Sequence, residues 1–314
     1  MVGPVRTLQG KEKTQIVDQI RADQASLPKK YRYKIGDILH KINLPKATYH
    51  DERKRIANHH DKYASVKQVI LSVAKEGQVR GRWTYGYRRV NQKLRAMGIH
   101  LADMTVNKLM AKLDVQVALY NRHRSGKYSS YEGNVGTVAD NLLKQQFQAT
   151  IPYQVLHTDV SQVRLANHSW AYISSIIDEA SKEVLAFQLS QHPDRQLITA
   201  TLNELCTKLP DNAQPIIHSD QGWHYQLGYY TQKLADNHFI QSMSRKGNCH
   251  DNAPMESFFH LFKTELLDGF PPCKDLAELK SLSAQYIHYF NYQRISLKTK
   301  GMTPVEYRHH TLVA

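Results

Sequence analysis

From residue 155 onward the spacing of apolar residues changes period again and again, and this alternation restricts the chain to a mixed α/β sheet. VLHTDVSQVRL (155–165), SWAYISSIID (169–178) and VLAFQLS (184–190) read as strands joined by connections short enough for antiparallel hairpins. RQLITATLNELCTKL (195–209) then turns helical, with Leu197, Leu202, Leu205 and Leu209 along one stripe. QPIIHSD (214–220) is a short buried strand, LGYYTQKLADNH a helix, FIQSMS (239–244) a strand, and the segment from Pro254 a helix. Three strands, helix, strand, helix, strand, helix is an α/β layout.

The first half is different in kind. Residues 1–150 carry 28 basic and 12 acidic side chains, a net of +16, whereas residues 151–314 carry 14 and 16, a net of −2. An excess confined to one half is the electrostatic footprint of a polyanion-binding region, and nucleic acid is the expected partner. Lys34 to Ile42, a break at Asn43-Leu44-Pro45 and the cationic KATYHDERKRIANHHDKY suggest one helix-turn-helix. A second comes from GRWTYGYRRVNQKLRAMGIHLADMTVNKLMAKLDV. Val90, Leu94 and Met97 precede a Gly98 stop, and Val106, Leu109, Met110 and Leu113 leave Lys108 and Lys112 on the opposite face. Arg88 and Arg89 add cations to the first of these helices. NRHRSGKYSSYEGNVGTV has no periodicity and reads as a linker. The expected division is therefore 1–79 basic and helical, 80–120 helix-turn-helix, 121–147 linker and 148–314 α/β core.

No apolar run reaches the ~18 residues of a membrane span, and the start lacks the apolar stretch of a signal peptide. Cys206, Cys249 and Cys273 show no CxxC spacing, which suits a reducing cytoplasm and argues against a zinc knuckle. The adjacent pairs His59-His60 and His309-His310 lack partner cysteines and read as solvated surface.

Three carboxylates stand out by position. Asp159 lies inside an apolar strand, Asp220 ends another, and Glu256 sits in the first turn of the helix after a basic loop. Burying an aspartate in a strand is costly unless it is paired or holds a metal. Two strand positions and a helix-borne Glu would form an oxygen cluster of the kind preferred by Mg²⁺ or Mn²⁺. On that helix Met255, Phe259, Phe262 and Leu266 form the buried stripe, while Glu256, His260 and Lys263 share the adjacent one. On spacing alone, a surface face of mixed charge is an equal reading. Asp178 reads as structural, and His218 either orients a ligand or packs.

Thirty-five residues separate Asp220 from Glu256, and Lys263 follows Glu256 by seven. This resembles the D,D-35-E pattern of retroviral integrases and their bacterial relatives. HTDVS, HSDQGWHY, GNCHDNAPMESFFHLFKTE and YFNYQRISLKTKGMTPVEY are similar to words of the OrfB-type transposases of the IS-three group of insertion sequences. YGYRRVNQKLRAMGI is similar to the helix-turn-helix unit that precedes their core. The resemblance covers about residues 80–310. Leu156 replaces the group's usual tryptophan, and Gln221 and Trp223 also depart from its pattern, but no carboxylate is lost.

The resemblance implies a ribonuclease H-like mixed sheet flanked by helices and preceded by the helical DNA-binding region. It implies two Mg²⁺, replaceable by Mn²⁺, held between Asp159, Asp220 and Glu256, with Asp159 bridging. Water attack would nick an element's end, and attack by the freed 3′-OH would join strands. Lys263, Arg245, Lys246 and Asn248 would contact DNA near the cut. The terminal inverted repeats and target DNA would be the partners, with a homodimer or higher oligomer on DNA and an upstream-frame segment as a possible fusion partner. The expected location is the bacterial cytoplasm, at the nucleoid, with no membrane partner. Two rivals are a metal-dependent nuclease without strand transfer and a non-catalytic DNA-binding regulator.

Overall fold

The computed structural model describes residues 8–58, 61–119, 136–245 and 252–312, which divide after Ser65 into two compact units. In the first, helices α1 (Gly10–Asp23), α2 (Ile35–Lys41) and α3 (Lys46–Ala57) enclose Val17, Ile38, Leu39, Leu44 and Tyr49. Asn43 makes the tight break between α2 and α3 by adopting φ 51°, a backbone that Asn tolerates better than most residues. The Tyr49 hydroxyl, donating to Asp18 at 2.6 Å, ties α3 to α1.

The second unit opens with α4 (Ala64–Glu76) and a two-stranded hairpin, β1 (Gln78–Val79) and β2 (Arg82–Trp83). Helices α5 (Tyr87–Ala96) and α6 (Asp103–Lys112) follow, separated by Gly98 at φ +79°. Val90, Leu94, Val106, Leu109 and Met110 are all buried, as their spacing requires.

The α/β core contains β3 (Val155–Arg164), β4 (Trp170–Asp178), β5 (Val184–Ser190), α7 (Arg195–Cys206), β6 (Ile216–Ser219), α8 (Gly228–Asp236), β7 (Ile240–Met243) and α9 (Ala253–Phe262). The sheet order is β5-β4-β3-β6-β7. The first three strands are antiparallel neighbours, and β6 and β7 join parallel to β3. Leu156, Ile217, Ile176 and Ala186 pack on one face with Ile198, Leu202 and Leu205 of α7 and Tyr230 and Leu234 of α8. The other face carries α9 and α10 (Leu276–Tyr292), with Phe187 against Phe258 and Phe262. A short α11 (Pro304–Tyr307), capped by Thr303 and Glu306, follows.

Past α9 the chain widens into a π turn, Lys263–Leu267, closed by Asp268 N–H donating to the Lys263 carbonyl at 2.8 Å. Such π turns often mark functional sites. Glu265, in this turn, is fully buried and accepts from Arg294 Nη2 at 2.7 Å, Arg294 Nε at 2.9 Å and Tyr286 Oη at 2.9 Å. Thr84 meets Tyr289 Oη, and Tyr85 Oη donates to the Gln293 carbonyl, so the region around β2 is seated on α10. Asp178 is the structural residue expected. It accepts from Tyr153 N–H, Ser181 N–H and Ser181 Oγ, fixing the β4–β5 turn.

Candidate active site

The parallel register of β3 and β6 pairs His157 with His218. Two residues further along each chain, on the same face, come Asp159 and Asp220. Adjacent strands lie about 4.8 Å apart, so Asp159 and Asp220, each two residues past a paired histidine, lie near enough for the charge of Asp220 to act on Asp159. Asp159 Oδ1 accepts from Val160 N–H at 2.7 Å. Asp220 Oδ1 accepts from Gly222 N–H at 2.8 Å. A Cβ at position 222 would stand 2.9 Å from that same oxygen, so only glycine allows the approach without displacement.

Glu256 arrives from the opposite side, exposed in the first turn of α9. Pro254 suits that turn because its missing N–H would have no intrahelical acceptor. Asn252, the residue before the helix, does not cap it. Its Nδ2 donates to the Thr158 carbonyl at 3.1 Å and its Oδ1 lies 3.1 Å from His157 Nδ1. His157 Nε2 in turn lies 2.7 Å from Glu179. This buried chain staples the start of α9 to the strand that carries Asp159. Neither Asn252 nor Glu179 stood out in the sequence, because their partners lie 95 and 22 residues away.

The carboxylates act on one another through their charges. Removal from water, and then the negative charges of Asp220 and Glu256, hold the Asp159 carboxyl well above the usual range, while the Lys263 ammonium opposes them. Burial also raises Asp220, against the pull of the Gly222 N–H. Among the described residues, no three His, Cys, Asp or Glu side chains are already drawn around a common metal position. The donor set is all oxygen and mutually repelling, and it fits a hard divalent ion.

These shifts have a consequence for stability. A carboxyl raised in the fold contributes stability that is present below its unfolded pKa and lost as pH rises through the folded one. Melting in EDTA should therefore fall as pH climbs above the ordinary carboxylate range, and Asp159→Asn should flatten that fall. Added Mg²⁺ should restore the melting temperature increasingly at higher pH. Differential scanning fluorimetry from pH 4 to 8 reads all three, and a pH-independent difference between wild type and variant would contradict the arrangement.

The cationic positions separate into groups. Lys263 lies at the end of α9 beside the carboxylates, and Arg245 is exposed just past β7. Lys246 and Asn248 fall outside the described residues. Lys108, Lys112 and Arg88 are exposed on α6 and α5. Arg89 is not brought to that surface; it donates to the Thr84 carbonyl at 2.9 Å and lies 4.0 Å from Glu265. His218 is buried, with Nδ1 2.9 Å from Ser242 Oγ and its ring edge-on to His157, so it packs within the sheet.

An antiparallel three-stranded meander extended by two parallel strands, with carboxylates at the centre of β3 and the end of β6, defines a ribonuclease H-like core of the integrase type. Residues 149–249 and 256–312 match families described as integrase core domain. The chain is 38% identical over 281 residues to the putative transposase InsK for insertion sequence element IS150 of Escherichia coli K12, covering 89% of this chain and 95% of that one. It is 30% identical over 222 residues to transposase InsF for insertion sequence IS3A of the same strain, covering 71% and 74%. It also aligns, at 10% identity and a TM-score of 0.43, with a chain of the simian T-cell lymphotropic virus intasome bound to the PP2A regulatory subunit B56 gamma, covering 71% and 76%. The chain belongs to the insertion-sequence transposases of the IS3 type, whose catalytic core is integrase-like.

Proposed function

We propose that the chain cuts DNA at the ends of an insertion sequence to free a 3′-OH and then joins that end to DNA, using Asp159, Asp220 and Glu256. What supports this reading is the parallel pairing of β3 and β6 just before Asp159 and Asp220, with the start of the helix that carries Glu256 held to β3 by Asn252, in a chain that matches the integrase core. Divalent ions, two Mg²⁺ or Mn²⁺, would be held by the three carboxylates and would supply nucleophile activation and leaving-oxygen stabilisation. Asp159 and Asp220 are held by the Val160 and Gly222 N–H groups, and the Asn252 staple ties the start of α9, which carries Glu256, to β3. Lys263 places a positive charge beside the carboxylates, where it offsets their repulsion and attracts a phosphate. Because one phosphodiester replaces another, joining needs no high-energy cofactor.

Residues 80–120 act as the reader of the element's ends, with the basic region 1–79 adding affinity and 121–147 linking to the core at 148–314. Arg88, Lys108, Lys112, Arg245, Lys246 and Asn248 contact DNA, and two ends are held by at least a dimer. A cytoplasmic, nucleoid-associated location follows from that substrate; among the described residues no helix is long and apolar enough to cross a membrane.

The test is a strand-transfer assay with labelled end DNA in Mg²⁺. Joined product is expected; hydrolysis without joining would reduce the protein to a nuclease, and binding without chemistry to a regulator. For the DNA contacts, Lys108→Ala and Lys112→Ala should each lower the slope of log affinity against log salt by about 1. Fluorescence anisotropy between 50 and 200 mM salt measures it, and unchanged slopes would remove α6 from the interface.

A further inference from the structure

A cleft of about 500 Å³ is enclosed by the β1–β2 hairpin, the segment after α6 and the end of α9, the helix that carries Glu256. Its walls include Trp83, Arg82, Gln116, His260, Lys263 and Asp268. The volume is within the range of small-ligand sites. It would admit a nucleotide, but duplex DNA is too wide for it. His260 and Lys263 belong to the same α9 stripe as Glu256. Seven residues of helix span about 10 Å, roughly three nucleotide steps at the duplex rise.

The walls offer three kinds of contact. Trp83 is half-buried and presents an indole for stacking. Lys263 and Arg82 supply positive charge, and the Gln116 amide can meet a donor or acceptor of a base edge. Arg82 is held in place. Its guanidinium lies 3.9 Å from the Phe270 ring centroid, and its Nη2 makes only long contacts, 3.5 Å, to the Thr264 and Glu265 carbonyls. Gly269, at φ +80°, makes room for it, since a Cβ there would stand 2.7 Å from Arg82 Nη1. Arg82 Nε is nevertheless buried with no hydrogen-bond partner among the described residues.

We propose that this cleft receives one unpaired base from the DNA strand held at the carboxylates, stacked on Trp83 with its flanking phosphate against Arg82 and Lys263. The proposal rests on the transposase reading above. A terminal nucleotide is the cheapest base to unpair, so a cleft beside the cutting site would capture it and hold the end in register. The base could come from the transferred strand, from its complement or from target DNA, and the test separates these sources.

5-Iododeoxyuridine is placed singly at each of the last three positions of either end strand, or in target DNA, and irradiated with the full-length protein. Cross-linked peptides are identified by mass spectrometry. A cross-link to Trp83 from one end strand is expected. Trp83→Ala should lose it and slow single-turnover joining about 10-fold, the loss expected for one base–aromatic stack, while Trp83→Phe retains most activity. An abasic nucleotide at the cross-linking position should make wild type behave like Trp83→Ala. If wild type joins strands yet no DNA position cross-links to Trp83, or Trp83→Ala joins at the wild-type rate, the cleft proposal is overturned and the transposase reading stands. If wild type joins nothing in Mg²⁺ or Mn²⁺, both fall.

Discussion

Glu256→Gln is expected to abolish both end cleavage and strand joining, by at least about 10³-fold, while leaving DNA affinity within about twofold. The exchange keeps the size and shape of the side chain and removes only its charge. Glu256 is exposed at the first turn of α9, so the fold has little stake in it. Its charge acts on Asp159, and a metal site that loses one of three anionic ligands loses much of its hold on the ion. A single preorganised electrostatic contact to a reacting centre is worth about 10²–10³-fold, and a charged ligand should exceed that. Asp159→Asn and Asp220→Asn should be equally inactive, and combining any two should cost little more, because groups that act as a unit are not additive. Single-turnover cleavage on labelled ends, together with anisotropy for binding, gives both numbers. Wild-type turnover by Glu256→Gln would sink the three-carboxylate assignment.

The second large effect concerns stability. Arg294→Met should lower the stability of the 66–314 unit by about 3–5 kcal/mol, or roughly 10 °C in melting temperature. Both partners of this ion pair are buried, Glu265 completely and Arg294 to 4% exposure. Removing the guanidinium leaves the buried carboxylate to the Tyr286 hydroxyl and the more distant Arg89, 4.0 Å away, which do not replace its bidentate partner. Replacing both residues, Glu265→Met with Arg294→Met, should recover much of the loss, since two charges no longer need to be kept out of water. Thermal or urea unfolding of the three variants measures the coupling. A double variant no better than the single would mean that the pair does not account for the loss. Because Glu265 lies in the π turn that begins at Lys263, the single variant should also join strands more slowly than its residual folded fraction predicts.

The same two regions show where sequence reasoning succeeds. The strands and helices of the core could be read closely from apolar period, because burial on one face imposes a period of 2 or 3.6 wherever an element lies. Asp159 was visible as a charge inside an apolar strand, and Asp220 and Glu256 by their place at element ends. The words HTDVS and HSDQGWHY then tied those positions to a family. Arg89 illustrates the limit. Its position on a cationic helix suggested DNA, but the turn of α5 points it at Thr84 and Glu265.

The chain's composition and periodicity by themselves determined a basic helical half, an α/β half, the order of the strands along the chain and three carboxylates worth explaining. Only the tertiary structure decided that β6 joins β3 in parallel at a register that pairs His157 with His218, two residues before the aspartates. It also decided that Asn252 staples α9 to β3. Nor could local pattern reveal that Glu265 finds Arg294 29 residues away, or that Trp83 and Lys263, 180 positions apart in sequence, share one cleft. Periodicity records which face of an element is buried. Which side chain lies opposite depends on how distant elements pack, and nothing in a local window carries that information.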